Sequence, residues 1–261
     1  MSILTIDTST KSGSISIWLS SEESVDLVGD PSITHGERLP SDIANVLERG
    51  KIGLADIEIF GVGIGPGSFT GLRVGIATAQ ALALTQGRKV VPVPTLDAVA
   101  AARMNENIGR PSLGSKDNVL PDRECTIVWM DGQRGQVFAA VYVRGSFDSG
   151  ILRPKRVAGP QVGDPAIVLD AMKGILEDFG HGLVVKVVGT ATARDKELLE
   201  TRLTDMTAGL SIGDGESVLA PVMARLVAAR QYEAVSPDKL QPLYIRRPDA
   251  VLARERKASG E

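Results

Sequence analysis

The residues that could do chemistry are few and scattered along the sequence. The two histidines, His35 and His181, are far apart, and neither belongs to an H-x-x-x-H motif, an H-E-x-x-H motif or a Cys/His cluster. A zinc or iron site with ordinary ligands is therefore not expected. The single cysteine, Cys125, begins an apolar run, where a buried and inert thiol is expected. A Cys–His nucleophile pair is the alternative, and only the residue types favour it.

The segment GVGIGPGSFTGLRVGIATAQALAL (61–84) has six glycines in its first fifteen residues. It is not a Walker A loop, because Gly71 is followed by Leu72 and Arg73 instead of Lys and a hydroxyl residue. It also lacks the dinucleotide pattern G-x-G-x-x-G and the nucleophile elbow G-x-S-x-G. Ser68 or Thr70 could cap a helix here. The free N–H groups of that helix could then hold an anion, or the cap could only close the helix.

The helix predicted after this cap is apolar on nearly all sides, so all of its sides must be covered. Gly71, Gly75, Ala79 and Ala83 follow each other at intervals of four residues and form a ridge along which another helix can approach closely. Either the preceding helix, 37–49, supplies the whole cover, or the two helices enter an intermolecular bundle. The residues alone leave both alternatives open.

Apolar runs and turn residues predict the order βββαβα in each half of the chain. Two such units are typical of tandem ribonuclease-H-like domains, the α/β fold of actins and sugar kinases. We expect an N-terminal domain at 1–104, an exposed loop at 105–124, a second domain at 125–215 and a tail at 234–261. A helix at about 216–233 is expected to join the first domain.

Asp7 and Asp131 each close the first strand of a unit. In actin-like folds these positions face a cleft near nucleotide phosphates and a metal ion. The alternative is that each carboxylate only caps a turn. Thr8 lies beside Asp7, and VVGTATA carries a lone Gly189 where nucleotide-binding relatives usually have paired glycines. These four residues predict at most a vestigial nucleotide cleft.

Charge and hydropathy exclude several classes of protein. The 261 residues have a formal net charge of −3 and a pI near 5.6, so bulk attraction to nucleic acid or to a membrane is not expected. Only the tail is basic, which is more typical of a solvated segment than of a phosphate site. No apolar run reaches the roughly 20 residues of a membrane span, and MSILTIDTST does not resemble a signal peptide. These features predict a cytoplasmic protein.

Five segments together resemble one family: ILTIDTST, HGERLP, GVGIGPGSFTGLRVGIATAQALAL, DGQRGQVFAAVY and QPLYIRRPDA. They are similar to the TsaB-type proteins of bacterial tRNA threonylcarbamoyladenosine biosynthesis, from Ile3 to about Ala250. Two features depart from that pattern. The 104–124 loop is longer than usual, and Gly36 stands where the family usually has Ser.

The resemblance implies a non-catalytic subunit that contains no cofactor of its own. Its partner, a TsaD-type subunit, would hold the metal and transfer a threonylcarbamoyl group onto the adenosine 3′ of the anticodon, in tRNAs that read codons beginning with A. A TsaE-type ATPase would join them, so that ATP and metal belong to the partner subunits and tRNA is reached only through the complex.

The resemblance also implies an interface made by the two N-terminal helices, in a heterodimer or in a homodimer when the chain is alone. The expected interface residues are His35, Glu37, Arg38, Leu39, Phe69, Thr70, Gly71, Arg73, Gly75 and Gln80. Two rival functions remain. One is a free-standing ATP-dependent enzyme or peptidase of the actin-like fold. The other is a tRNA-binding module, which only the basic tail supports.

Overall fold

Two β-sheets with the same internal order form the framework of this computed structural model, which describes residues 1–21, 23–106, 124–148, 150–180, 182–214 and 218–246. The first sheet contains β1 (Ile3–Asp7), β2 (Ser14–Trp18), β3 (Ser24–Val28), β4 (Ile59–Gly65) and β5 (Lys89–Pro94). The second contains β6 (Glu124–Asp131), β7 (Val137–Asp148), β8 (Ile151–Gly163), β9 (Val184–Gly189) and β10 (Gly209–Asp214).

The strand order is β3-β2-β1-β4-β5 in one sheet and β8-β7-β6-β9-β10 in the other. In each, the first three strands form an antiparallel meander, and the two later strands pair parallel beside the first strand. This shared arrangement confirms the predicted fold class, two ribonuclease-H-like domains in tandem.

Six helices complete the described part of the chain: α1 (His35–Arg49), α2 (Phe69–Thr85), α3 (Thr95–Asn105), α4 (Pro165–Glu177), α5 (Lys196–Leu203) and α6 (Ala220–Ala228). Local sequence explains their starts. Thr34 and Glu37 form a capping box at α1, Ser68 Oγ accepts from Gly71 N (3.2 Å) at α2, and Asp164 Oδ1 accepts from Ala166 N (2.9 Å) at α4.

The apolar core has three parts. One part lies between the first sheet and α1 with α2, and another between the second sheet and α4 with α5. The third part joins the two domains through α3 and α6, where residues such as Leu96 pack in the same cluster as Val128 and Tyr142 of the second sheet. α6 packs against β1 and β2, whereas α3 packs against β6 and β8. The two domains therefore share the third part of the apolar core.

The structure differs from the predicted elements at two places, and parts of the predicted chain fall outside the described residues. β10 was not predicted, because its sequence, GLSIGD, is short and contains two glycines. The last helix of the second βββαβα unit, which the sequence predicts at 193–204, spans only Lys196–Leu203. Most of the predicted 105–124 loop, His181 and the end of the tail from residue 247 lie outside the described residues. Within the described residues, no helix combines the length and hydrophobicity that a membrane-spanning segment needs.

Candidate functional site

Both predicted cleft aspartates cap the turns that follow their strands. Asp7 Oδ1 accepts hydrogen bonds from the Ser9 backbone N–H (3.1 Å) and from Ser9 Oγ (2.6 Å). Asp131 Oδ1 accepts from Gln133 N (3.1 Å) and from Arg194 Nη1 (2.9 Å). Both carboxylates therefore act as turn caps, and the carboxylate of Asp131 is also paired with the guanidinium of Arg194.

The other two residues of the predicted cleft are closely packed within the chain. Gly189 has a φ of +140°, and a Cβ added there would overlap the carbonyl of Trp129. Thr8 is 1% exposed and lies directly beneath α2. Gly189 thus allows β9 to approach β6, which explains the glycine without a nucleotide.

A cleft of about 750 Å³ does open between the domains, next to these residues. Ser9, Thr10 and Lys11 line it from the first domain, and Asp131 and Thr190 line it from the second. Hydroxyl groups and a lysine are suited to an anion. The described part of the chain contains no group of three His, Cys, Asp or Glu side chains that could hold a metal ion. Cys125 is fully buried, and burial raises the pKa of its thiol to about 12, so it is not an activated nucleophile.

The prediction that the glycine ridge of α2 admits a partner helix is wrong. Gly71, Gly75, Ala79 and Ala83 are all buried against the chain's own first domain. A Cβ at Gly71 would overlap the Thr8 carbonyl, and a Cβ at Gly75 would overlap Thr8 Oγ1. The small residues therefore let α2 approach the loop that follows β1.

Four more predicted interface residues are also engaged inside the chain. Leu39 is 2% exposed, and the guanidinium of Arg38 contacts Ser12 O and Asp42 in the space that Gly29 leaves open. His35 Nε2 lies 2.9 Å from Thr10 O. Gln80 Nε2 donates to Pro237 O (2.9 Å) and Leu240 O (3.2 Å), which ties the C-terminal segment to α2. The side chains of these four residues are therefore already engaged in contacts within the chain.

The other predicted interface residues lie at the surface. Glu37 closes the capping box of α1, where its Oε2 accepts from Thr34 N (3.2 Å) and Thr34 Oγ1 (2.7 Å). Phe69, Thr70 and Arg73 are exposed on the first turns of α2. The structure thus groups these three residues at one end of α2.

On the side that α1 and α2 turn away from the sheet, both helices expose small or apolar residues among polar ones such as Glu37 and Asn45. We call this side the outer helical face and define it by exposed residues of both helices: Gly36, Pro40, Ala44, Ala77, Ala81 and Leu84. Leu84 is 61% exposed. The first three residues recur at intervals of four, and so do Ala77 and Ala81, so each set follows one side of its helix. The buried residues Gly71, Gly75, Ala79 and Ala83 have the same spacing, so periodicity alone does not distinguish this face from the buried side of α2.

Comparisons with known proteins agree with this architecture. The model of the family described as TsaD, tRNA N6-adenosine threonylcarbamoyltransferase, matches residues 30–166, more than half of the chain. The tRNA threonylcarbamoyladenosine biosynthesis protein TsaB of Escherichia coli (strain K12) is 28% identical over 250 residues, which cover 94% of this chain and 95% of that protein.

Two further similarities differ in extent. An uncharacterized protein of Mycobacterium leprae (strain TN) is 30% identical over 216 residues, and the match covers 83% of this chain but only 45% of that relative. The solved structure of YeaZ from Pseudomonas aeruginosa superposes with a TM-score of 0.67 at 20% identity, over 94% of this chain and all of the other, which supports the fold. The family model thus shows that the chain belongs to the family described as TsaD, tRNA N6-adenosine threonylcarbamoyltransferase, and the chain is similar to the TsaB protein of Escherichia coli over nearly the whole length of both.

Proposed function

We propose that the chain is a non-catalytic, activating subunit in tRNA threonylcarbamoyladenosine biosynthesis. It would form a heterodimer with a TsaD-type catalytic subunit that transfers the threonylcarbamoyl group onto the adenosine 3′ of the anticodon, in tRNAs reading codons that begin with A. The observation that carries this proposal is the outer helical face. Two adjoining helices leave small and apolar residues in water, and a second protein would bury them.

The side chains that a catalytic role would need support the same proposal. Asp7 and Asp131 cap turns, Gly189 packs against Trp129, and Cys125 is buried. We therefore assign ATP and metal to the partner subunits, with a TsaE-type ATPase joining the heterodimer. tRNA would be reached through the complex. The same outer helical face would pair two copies of the chain in the absence of the partner.

Reconstituted modification tests the proposal directly. Transfer to tRNA by the TsaD-type subunit and the TsaE-type ATPase is measured with and without this chain, and we expect modification only when the chain is present. The Asp131→Asn variant serves as the control for catalysis, because its side chain is 46% exposed. It should support modification as well as the unmodified chain does. Loss of modification in a folded Asp131→Asn complex would contradict a non-catalytic role.

A further inference from the structure

Three arginines converge on a groove that lies outside the outer helical face. The groove lies between the first turns of α2, the turn joining β6 to β7, and the C-terminal segment 243–246, and it has a volume of about 580 Å³. Arg73, Arg134 and Arg246 line it, and no Asp or Glu is among its described lining residues. We call it the arginine groove. Because its charged side chains are all cationic, it is suited to an anion.

Neutral groups hold two of these guanidinium groups in place. Arg73 Nε donates to the hydroxyl of Tyr244 (3.1 Å). Arg246 Nη2 donates to Gly132 O (2.8 Å) and to Gln136 Oε1. These partners position the arginines without cancelling their positive charge, so the charge is available to a ligand.

Aromatic rings form one side of the same groove. The ring centroids of Phe69 and Tyr244 are 5.5 Å apart, and the guanidinium carbon of Arg73 lies 3.8 Å from the centroid of Phe69. Phe69 is 40% exposed and Tyr244 is 38% exposed, so both rings remain open to solvent. Exposed rings beside a guanidinium form the kind of surface on which a nucleobase stacks.

We propose that the arginine groove binds a nucleotide, with its phosphate on Arg73 and Arg246 and its base against Phe69 and Tyr244. Phosphate accounts for the two guanidinium groups that neutral partners hold, and a planar base accounts for the exposed rings, whereas an inorganic anion would leave the rings unused. The nucleotide is either a free one or an unpaired nucleotide of tRNA. Only the second source rests on the proposed function.

The double variant Arg73→Gln/Arg246→Gln tests the phosphate contacts. Arg73 is exposed and Arg246 is half-buried, and the control, Arg144→Gln/Arg225→Gln, removes two arginines that do not line the groove. Binding of fluorescently labelled tRNA is measured by anisotropy over a series of salt concentrations, and binding of ATP and AMP by calorimetry. The chain is used both alone and in complex with the TsaD-type subunit.

We expect the groove variant to lose at least tenfold in affinity and the control to lose none. If the probe is bound through phosphates, the slope of log K against log salt should become shallower by roughly one for each arginine removed. Tyr244→Leu keeps every arginine but removes a stacking ring and the hydroxyl that accepts from Arg73 Nε, so it should lower affinity by roughly 5- to 100-fold and change the salt slope less than the arginine variant does.

The outcomes distinguish a free nucleotide from a nucleotide of tRNA, and they distinguish failure of the groove proposal from failure of the proposed heterodimer. Loss of tRNA binding alone supports the RNA source, and loss of ATP or AMP binding alone supports a free nucleotide. The proposal is wrong if the unmodified chain binds neither probe, or if the groove variant binds both as well as the control does. Co-purification of the same variants with the TsaD-type subunit is recorded separately, so a failed groove is distinguished from a failed heterodimer. Thermal unfolding of each variant checks that it is folded.

Discussion

Asp97 on α3 and Tyr142 on β7 join the two domains through a 2.6 Å hydrogen bond from the tyrosine hydroxyl to Oδ1. The other carboxylate oxygen of Asp97 accepts from Tyr232, which follows α6, at 3.0 Å. Burial and the neighbouring carboxylate raise the pKa of both tyrosines, so both stay protonated as donors. Arg156 Nη1 lies 3.7 Å from Asp97 Oδ1 and offsets its charge. The group therefore holds the domains together where their apolar core is shared.

We expect Tyr142→Phe to lower the free energy of unfolding by about 1–3 kcal/mol, because it removes a buried donor to a carboxylate. Urea denaturation measures the loss. Combining it with Tyr232→Phe in a double-mutant cycle should reveal a coupling of at least about 0.5 kcal/mol, since both hydroxyls share one carboxylate. Additive losses would show that the two tyrosines act independently and would contradict a shared group.

Gly75→Ala tests the inward position of the glycine ridge. Because the new Cβ would overlap Thr8 Oγ1, we expect a loss of about 1–3 kcal/mol in the free energy of unfolding, despite the higher helix propensity of alanine. Denaturation of the isolated chain is the measurement. A variant that folds with unchanged stability but no longer binds its partner would instead place the ridge at the interface.

Gly174→Ala is the matched control for that substitution. Gly174 is also inside a helix, α4, but a Cβ there meets nothing within 4 Å. The substitution should therefore stabilise the chain by up to about 1 kcal/mol, the difference in helix propensity. If both alanine variants destabilised the chain equally, overlap with Thr8 would not be the reason.

The carboxylate of Asp195 predicts how stability depends on pH. Burial alone would raise the pKa of Asp195. Hydrogen bonds from Arg194 and from Trp129 Nε1 (2.8 Å) outweigh burial, so the pKa lies below its usual 3.8. A lowered pKa in the folded state adds stability that is present above pH 4 and is lost as the pH falls through the lower value.

Asp195→Asn should therefore be less stable than the unmodified chain at pH 7, and the difference should shrink as the pH falls below 4. Urea denaturation at a series of pH values measures it, with Asp205→Asn as a control for the loss of one carboxylate. A difference between Asp195→Asn and the unmodified chain that stays constant over this range would show that the ionised carboxylate contributes nothing.

The order of helices and strands was predictable because most elements carry clear local signals. Thr34 with Glu37 and Asp164 with Pro165 mark helix starts, and short apolar runs mark β1 and β6. β10 lacks such a signal, because it is a short edge strand with two glycines. Its place depends on parallel pairing with β9, which is a tertiary contact.

The orientation of α2 could not be predicted from its sequence. Apolar and small residues surround the helix on nearly all sides, so periodicity does not distinguish the buried side from the exposed one. The contact with Thr8 determines which side is buried, because the Thr8 side chain occupies the space beside Gly75. The arginine groove could not be predicted from the sequence either, because Arg73, Arg134 and Arg246 belong to three distant segments and come together only in the folded chain.

The affinity of this chain for a TsaD-type subunit, measured by calorimetry, tests the central claim most directly. Ala77→Glu/Ala81→Glu places two charges on the outer helical face, and Ala171→Glu places one at an exposed position of α4 as the control. Because burying an unpaired charge is costly, we predict that the double variant loses at least 100-fold in affinity while it stays folded, and that the control binds normally. Unchanged affinity of the folded double variant would contradict an interface on the outer helical face.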